Sequence, residues 1–173
     1  MDSQKLKSFI RDIPDYPQKG IIFKDITPLL AHPLAIQSAV DLMAQPFKND
    51  RIDIVAATEA RGFLFGPSMA TYLDAGFVPV RKPGKLPHDT LSHSYELEYG
   101  EDTLEIHRDA IHPGAKVLLV DDLLATGGTI AATKNLVESL GGVVVGCSFL
   151  IELGFLSGRI ALGDTPIHAV IDY

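Results

Sequence analysis

A short apolar run at residues 117–120 ends in two adjacent carboxylates, Asp121 and Asp122, and a turn of small residues follows at 125–129. Four apolar residues in succession predict a buried strand. The turn contains two adjacent glycines, which let the backbone approach a bound group closely, and a helix is predicted directly after it. Backbone N–H groups and a helix N-terminus attract an anion, and carboxylates accept hydrogen bonds from sugar hydroxyls. The stretch therefore predicts a strand–turn–helix unit that binds a phosphorylated sugar.

Strands and helices are predicted to alternate along the rest of the chain. Strands are predicted at 52–57, 77–81, 143–151 and 167–171, and helices at 36–47, 62–75 and 129–140. This alternation predicts an α/β fold, a doubly wound, mostly parallel sheet flanked by helices. Pro79 either argues against the strand at 77–81 or places that strand at an edge of the sheet. Ligands of such sheets bind beyond the carboxyl ends of the strands, so the turns at 58–62 and 121–129 should face one crevice.

Two segments do not follow this alternation. Helical spacing of apolar residues from Leu6 to Ile13 predicts a first helix that Pro14 ends. Residues 82–93 are rich in Pro, Gly and Lys and are expected to be irregular, whereas the alternating pattern that follows, at 95–106, predicts an antiparallel hairpin.

Charge and composition exclude several classes of function. The net charge of −7 argues against nucleic-acid binding, which needs an excess of Lys and Arg. No apolar stretch approaches the roughly 20 residues of a membrane span, and the polar N-terminus does not resemble a signal peptide. The single cysteine, Cys147, permits no internal disulfide, so a cytoplasmic protein without membrane partners is expected. The sequence contains neither the P-loop motif nor the dinucleotide motif G-x-G-x-x-G.

Residues 117–129 resemble the phosphoribosyl diphosphate (PRPP) signature of the type I phosphoribosyltransferases. Further segments resemble the adenine branch of that family, at 13–17, 20–30, 59–63, 81–87, 95–100 and 147–159. The resemblance implies a single domain over 1–173, with a small N-terminal hood at 1–33 that binds the base and a flexible β-hairpin lid at 83–107. It also implies transfer of the phosphoribosyl group of PRPP to N9 of adenine, which yields AMP and diphosphate in purine salvage.

The resemblance further implies the residues that bind PRPP. The 5′-phosphate would be held by Ala125, Thr126, Gly127, Gly128 and Thr129, and the ribose by Asp121 and Asp122. The diphosphate would be bound by Ala60, Arg61, Arg81, Lys82 and Lys85. Arg81 would reach the active site of a partner subunit, which implies a homodimer. Mg²⁺ would arrive with PRPP, so no permanent metal site is expected.

The adenine base would be bound by Ile22, Phe23, Lys24 and Leu153. Phe23 would stack on the ring opposite Leu153, and the backbone of Ile22 and Lys24 would contact its edge. Lys24 replaces the arginine of some members, a change that a main-chain contact tolerates. Catalysis would involve Arg61, Glu98 and Tyr99, with Glu98 exchanging a proton with the purine. The family often has a non-proline cis peptide in the loop at 59–62, and one is predicted near Ala60.

Two other functions remain open from the sequence. One is transfer to a 6-oxo purine such as hypoxanthine or xanthine, which would favour a donor such as a lysine side chain near O6. The other is a non-catalytic domain that only senses PRPP or nucleotides, although such proteins usually carry a nucleic-acid-binding module or a basic face. Taken singly, Phe23 is typical of a core residue, and Arg61 and Glu98 of surface residues.

Overall fold

The structure is a computed structural model that describes residues 1–97 and 100–173. Its strands are β1 (Arg11–Pro14), β2 (Ile22–Asp25), β3 (Ile54–Thr58), β4 (Gly76–Val80), β5 (Thr90–Leu97), β6 (Gly100–His107), β7 (Lys116–Leu124), β8 (Val143–Glu152) and β9 (Ile167–Asp172). Its α-helices are α1 (Ser3–Lys7), α2 (Thr27–Leu30), α3 (Pro33–Ala44), α4 (Gly66–Tyr72) and α5 (Gly128–Ser139). Among these helices, none is long and apolar enough to cross a membrane.

The central sheet has five parallel strands in the order β4-β3-β7-β8-β9. Successive side chains of a strand point to opposite faces, so β3 contributes to two cores. Val55 and Ala57 pack with α3 and α4 on one face, and Ile54 and Ala56 pack with α5 on the other. A strand buried on both faces reads as a continuous apolar run, which is why the sequence predicted β3 and β7 well. The predicted fold class is confirmed, as is the edge position of β4.

The predicted helix from Leu6 to Ile13 is wrong. Helix α1 ends at Lys7, and Arg11–Pro14 form β1, which pairs antiparallel with β2. Opposite charges face each other in this pairing: Arg11 lies opposite Asp25, and Asp12 lies opposite Lys24. Cross-strand charge pairs stabilise such a ribbon, so the tertiary pairing overrides the local helical spacing.

The hairpin of β5 and β6 begins earlier than predicted, at Thr90, so residues 90–93 are not irregular. Leu91 and Tyr95 lie on the same face of β5 and pack against the core that includes α5. Residues 98 and 99, which hold the predicted catalytic residues Glu98 and Tyr99, lie outside the described part of the chain.

Candidate active site

The turn between β7 and α5 has the geometry expected of an anion-binding loop. Gly127 precedes the helix with φ +87°, a conformation that favours glycine, and it offers no side-chain acceptor to the first turn. The first N–H groups of a helix have no partner within the helix. Within the described part of the chain no side chain caps these groups, so they can bind an anion at the positive end of the helix dipole.

Close packing at Gly127 and Gly158 supports the turn between β7 and α5. A Cβ atom at Gly127 would collide with the carbonyl oxygen of Gly158 and lie 2.9 Å from the Cβ of Ala161. A Cβ atom at Gly158 would in turn collide with the carbonyl oxygen of Ala125. The turn therefore packs backbone to backbone against the 3₁₀ helix Gly158–Leu162, and this packing fixes its shape.

The two carboxylates lie within β7, next to the turn. Asp122 is 3% exposed and Asp121 is half-buried, and the N–H of Asp122 donates to Asp121 Oδ1 at 2.8 Å. Burial, together with the neighbouring Asp122 carboxylate, raises the pKa of Asp121 well above its usual range. Burial also raises the pKa of Asp122, although the guanidinium of Arg61 opposes this increase.

Arg61 reaches the acid pair from the loop that follows β3. Its Nη2 lies 2.6 Å from Asp122 Oδ2, so the guanidinium and the carboxylate form a close ion pair. At Gly62 this loop packs closely against β7, because a Cβ atom there would lie 3.1 Å from Asp121 Oδ1. The peptide between Glu59 and Ala60 is cis, which confirms the prediction of a non-proline cis bond near Ala60.

The guanidinium of Arg61 also lies over the ring of Phe23, with Cζ 4.9 Å from the ring centroid. The edge of Tyr16 contacts the same ring at a centroid distance of 5.2 Å. One residue predicted to bind diphosphate thus covers the ring that is predicted to stack on the base. A flat ligand needs this guanidinium to move before it can stack on that face of Phe23.

A cavity of about 730 Å³ lies between the hood and the anion-binding turn. Its lining includes Ile22, Lys24, Ala125, Thr126 and Leu153. The cavity therefore joins residues predicted to bind adenine with residues predicted to bind the 5′-phosphate. The side chain of Lys24 is buried; it binds Asp12 Oδ1 at 2.7 Å and lies 3.7 Å from the ring centroid of Tyr173. These contacts hold the Lys24 side chain within the hood, which leaves its backbone as the part able to contact a base.

The predicted basic cluster lies beside Glu59, next to the cis peptide. Arg81 Nη2 is 3.4 Å from Glu59 Oε2, and the backbone N–H of Lys82 donates to Glu59 Oε1 at 2.7 Å. The carbonyl of Lys85 accepts from Arg81 at 3.3 Å, and Lys82 Nζ lies 3.0 Å from Asp102 Oδ2. Within the described residues Arg81 Nε is buried without a hydrogen-bond partner.

Sequence reasoning missed two contacts next to this site. Arg159 forms a two-pronged ion pair with the buried Glu152, at 2.7 and 2.6 Å, which fixes the segment between Leu153 and Gly158. The hydroxyl of Tyr95 lies 3.2 Å from Thr129 Oγ1. Neither pair follows a periodic pattern, and only the presence of both partners in motif segments could have suggested them.

Comparisons with known proteins agree on one family. A family model described as a phosphoribosyl transferase domain matches residues 25–155. An adenine phosphoribosyltransferase of Rhodopirellula baltica is 58% identical over 168 residues, which cover 97% of this chain and 82% of that protein. The crystal structure of adenine phosphoribosyltransferase from Thermoanaerobacter pseudethanolicus matches with a TM-score of 0.96 and 54% identity, over 99% of each chain. The Saccharomyces cerevisiae enzyme, in complex with an imino-altritol bisphosphate and adenine, matches with a TM-score of 0.92 and 41% identity, over 97% of each chain.

Proposed function

The chain belongs to the phosphoribosyltransferase family, in its adenine phosphoribosyltransferase branch, and from this premise we infer its reaction and the roles of its residues. It is a pentosyltransferase that transfers the phosphoribosyl group of PRPP to N9 of adenine, giving AMP and diphosphate in purine salvage. The observation that carries this conclusion is the identity of 58% with an adenine phosphoribosyltransferase over 97% of the chain. The cavity shared by the hood and the anion-binding turn supports a site for two substrates.

We propose that residues 125–129 bind the 5′-phosphate of PRPP through backbone N–H groups and the hydroxyls of Thr126 and Thr129. The free first turn of α5 and the glycine packing behind it support this assignment. Asp121 and Asp122 would accept hydrogen bonds from the ribose hydroxyls. As the glycosidic C–O bond breaks, positive charge develops on the sugar, and two fixed carboxylates stabilise that charge.

Arg61 would bind the diphosphate, together with the backbone of Ala60 and the side chains of Arg81, Lys82 and Lys85. Its ion pair with Asp122 and its position over Phe23 support a role in which the guanidinium occupies positions that the substrates take when they bind. When PRPP binds, the ribose hydroxyls form hydrogen bonds with Asp122, and the diphosphate binds the guanidinium of Arg61. The guanidinium then leaves the face of Phe23, which becomes accessible to the base. Mg²⁺ would arrive with PRPP, as oxygen-rich diphosphate suits it, and would neutralise charge on the leaving group.

Adenine would stack between Phe23 and Leu153, and its edge would bind the backbone of Ile22 and Lys24. The confinement of the Lys24 side chain by Asp12 and Tyr173 supports a main-chain contact. Glu98, with Tyr99 beside it in the sequence, would exchange a proton with the purine while the hairpin at 83–107 excludes water. We place the enzyme in the cytoplasm; its single cysteine, Cys147, is buried and has no second cysteine with which to form an internal disulfide, which fits a reducing compartment.

The assay for this function measures AMP formation from PRPP and four bases in parallel: adenine, hypoxanthine, guanine and xanthine. We expect turnover with adenine that exceeds turnover with each 6-oxo purine by at least about 10²-fold, because a site built for an amino group leaves polar groups unpaired with a carbonyl. Chelation of Mg²⁺ should abolish turnover, and added Mg²⁺ should restore it. Absence of AMP formation with adenine would refute the function.

We propose a homodimer in which Arg81 completes the partner's site, and mixing two impaired variants tests this. Arg81→Ala and Asp121→Asn are co-expressed so that mixed dimers form. If Arg81 acts on the partner's site, each mixed dimer has one intact site, and equal mixing restores about a quarter of the wild-type activity. Activity no higher than the average of the two variants would show that Arg81 serves its own subunit, beside Glu59.

A further inference from the structure

The hydroxyl of Tyr95, on β5, lies 3.2 Å from Thr129 Oγ1, at the start of α5. We propose that Tyr95 is a positioning residue that orients the Thr129 hydroxyl toward the 5′-phosphate of PRPP. This inference rests on the assignment of Thr129 to the 5′-phosphate under the proposed function.

The protons on the two hydroxyls limit how this pair can bind a phosphate. A phosphate dianion only accepts hydrogen bonds, and each hydroxyl has one proton to donate. If Thr129 donates to Tyr95, its proton points away from the phosphate. If Tyr95 donates to Thr129, the threonine proton is free for the phosphate. Bound phosphate therefore favours the arrangement in which Tyr95 donates to Thr129 and Thr129 donates to the phosphate. Each hydrogen bond in this series strengthens the next.

The fold fixes the Tyr95 hydroxyl before any ligand binds. The Tyr95 ring packs partly buried against the core that includes α5. Two residues earlier on the same face, His93 Nε2 lies 3.2 Å from Asn135 Nδ2 on that helix. The main chain of Thr129 is also held, because its carbonyl accepts from Thr133 Oγ1 at 2.9 Å. The side-chain torsion of Thr129 is then the main remaining freedom, and the Tyr95 hydroxyl restricts it.

The residue that is paired with Tyr95 across the hairpin contacts the proposed diphosphate site. Tyr95 is paired across the hairpin with Asp102, and Asp102 Oδ2 lies 3.0 Å from Lys82 Nζ. Lys82 is one of the residues assigned to the diphosphate. Loss of the Tyr95 hydroxyl leaves this second contact intact, so its effect should be confined to the 5′-phosphate.

The test is Tyr95→Phe, which removes one oxygen and keeps the ring in the core. We expect the KM for PRPP to rise about three- to tenfold, the value of one hydrogen bond, whereas kcat and the KM for adenine should stay within about twofold. Inhibition by ribose 5-phosphate should weaken by the same factor, and inhibition by diphosphate should not change. The matched control is Tyr72→Phe, at a tyrosine on α4 that is 38% exposed, which should leave every constant unchanged.

A double-mutant cycle with Thr129→Val separates this proposal from the one on which it rests. Thr129→Val alone should raise the KM for PRPP, and Tyr95→Phe should add nothing in that background. If Thr129→Val has no effect, the assignment of Thr129 to the 5′-phosphate fails. If Thr129→Val raises the KM for PRPP but Tyr95→Phe does not, the role of Tyr95 is overturned and the assignment of Thr129 stands. The same conclusion follows if the two effects on this KM add in full. Equal weakening of ribose 5-phosphate and diphosphate by Tyr95→Phe would also overturn it, since that pattern indicates a general structural effect.

Discussion

Replacing Arg61 with alanine should lower kcat/KM for PRPP by about 10²- to 10³-fold, the usual effect of removing one group that stabilises transition-state charge. In the structure this guanidinium lies 2.6 Å from Asp122 Oδ2 and over Phe23. In the proposed reaction it moves to the leaving diphosphate, where its planar fork binds two oxygens. Arg61→Lys should recover only part of the loss, because an ammonium group keeps the charge but not the fork.

The pH profile of kcat/KM provides a second measurement on the same variant. Arg61 lowers the pKa of Asp122 against the effect of burial, so its removal should raise that pKa further. If Asp122 must be ionised to stabilise the sugar cation, the acidic limb of the profile should move to higher pH in Arg61→Ala. The control is Arg51→Ala, at a side chain that is 88% exposed and 3.9 Å from Asp53 Oδ1, and it should leave both the rate and the profile unchanged. Near-wild-type kcat/KM in Arg61→Ala would remove this residue from the chemistry.

The sequence predicted the central sheet because its signals are local there. Apolar runs such as 117–120 mark strands that are buried on both faces, and Gly141 and Gly142 mark the end of α5. The hood was predicted less well, because β1 exists only through its pairing with β2. Opposite charges in antiparallel order, Arg11 with Asp25 and Asp12 with Lys24, were the available signal.

At the candidate site, too, local sequence motifs were predicted, whereas tertiary contacts were not. Motifs located the acid pair and the glycine turn, but not the contacts that join one motif to another. The position of Arg61 over Phe23 and the bond from Tyr95 to Thr129 connect residues more than 30 positions apart. Contacts of this kind depend on the packing of loops at the sheet edge, and no spacing rule describes that packing.

Asp121→Asn should lower kcat/KM for PRPP by about 10²-fold and at the same time make the protein more stable. The amide keeps the shape of the carboxylate, and its oxygen still accepts the N–H of Asp122, which donates at 2.8 Å in the wild type. What is lost is a carboxyl group whose ionised form is disfavoured by burial and by the neighbouring Asp122 carboxylate. In the proposed function the ionised form stabilises a sugar cation, so we infer that function retains a group that stability disfavours.

The sign of the stability effect follows from the raised pKa of Asp121. The folded state holds this proton more tightly than the unfolded chain, so keeping the carboxylate ionised costs stability above the folded pKa. The cost declines as pH falls through the folded pKa and vanishes below the ordinary pKa of aspartate. At neutral pH the Tm of Asp121→Asn should therefore exceed that of the wild type by about 2–4 °C for each kcal/mol recovered, and the two values should converge in acid. Asp109→Asn, at a side chain that is 71% exposed, should change neither Tm nor rate. A lower Tm in Asp121→Asn at neutral pH would mean that this charge stabilises the fold, and the conflict between stability and function inferred from its burial would be wrong.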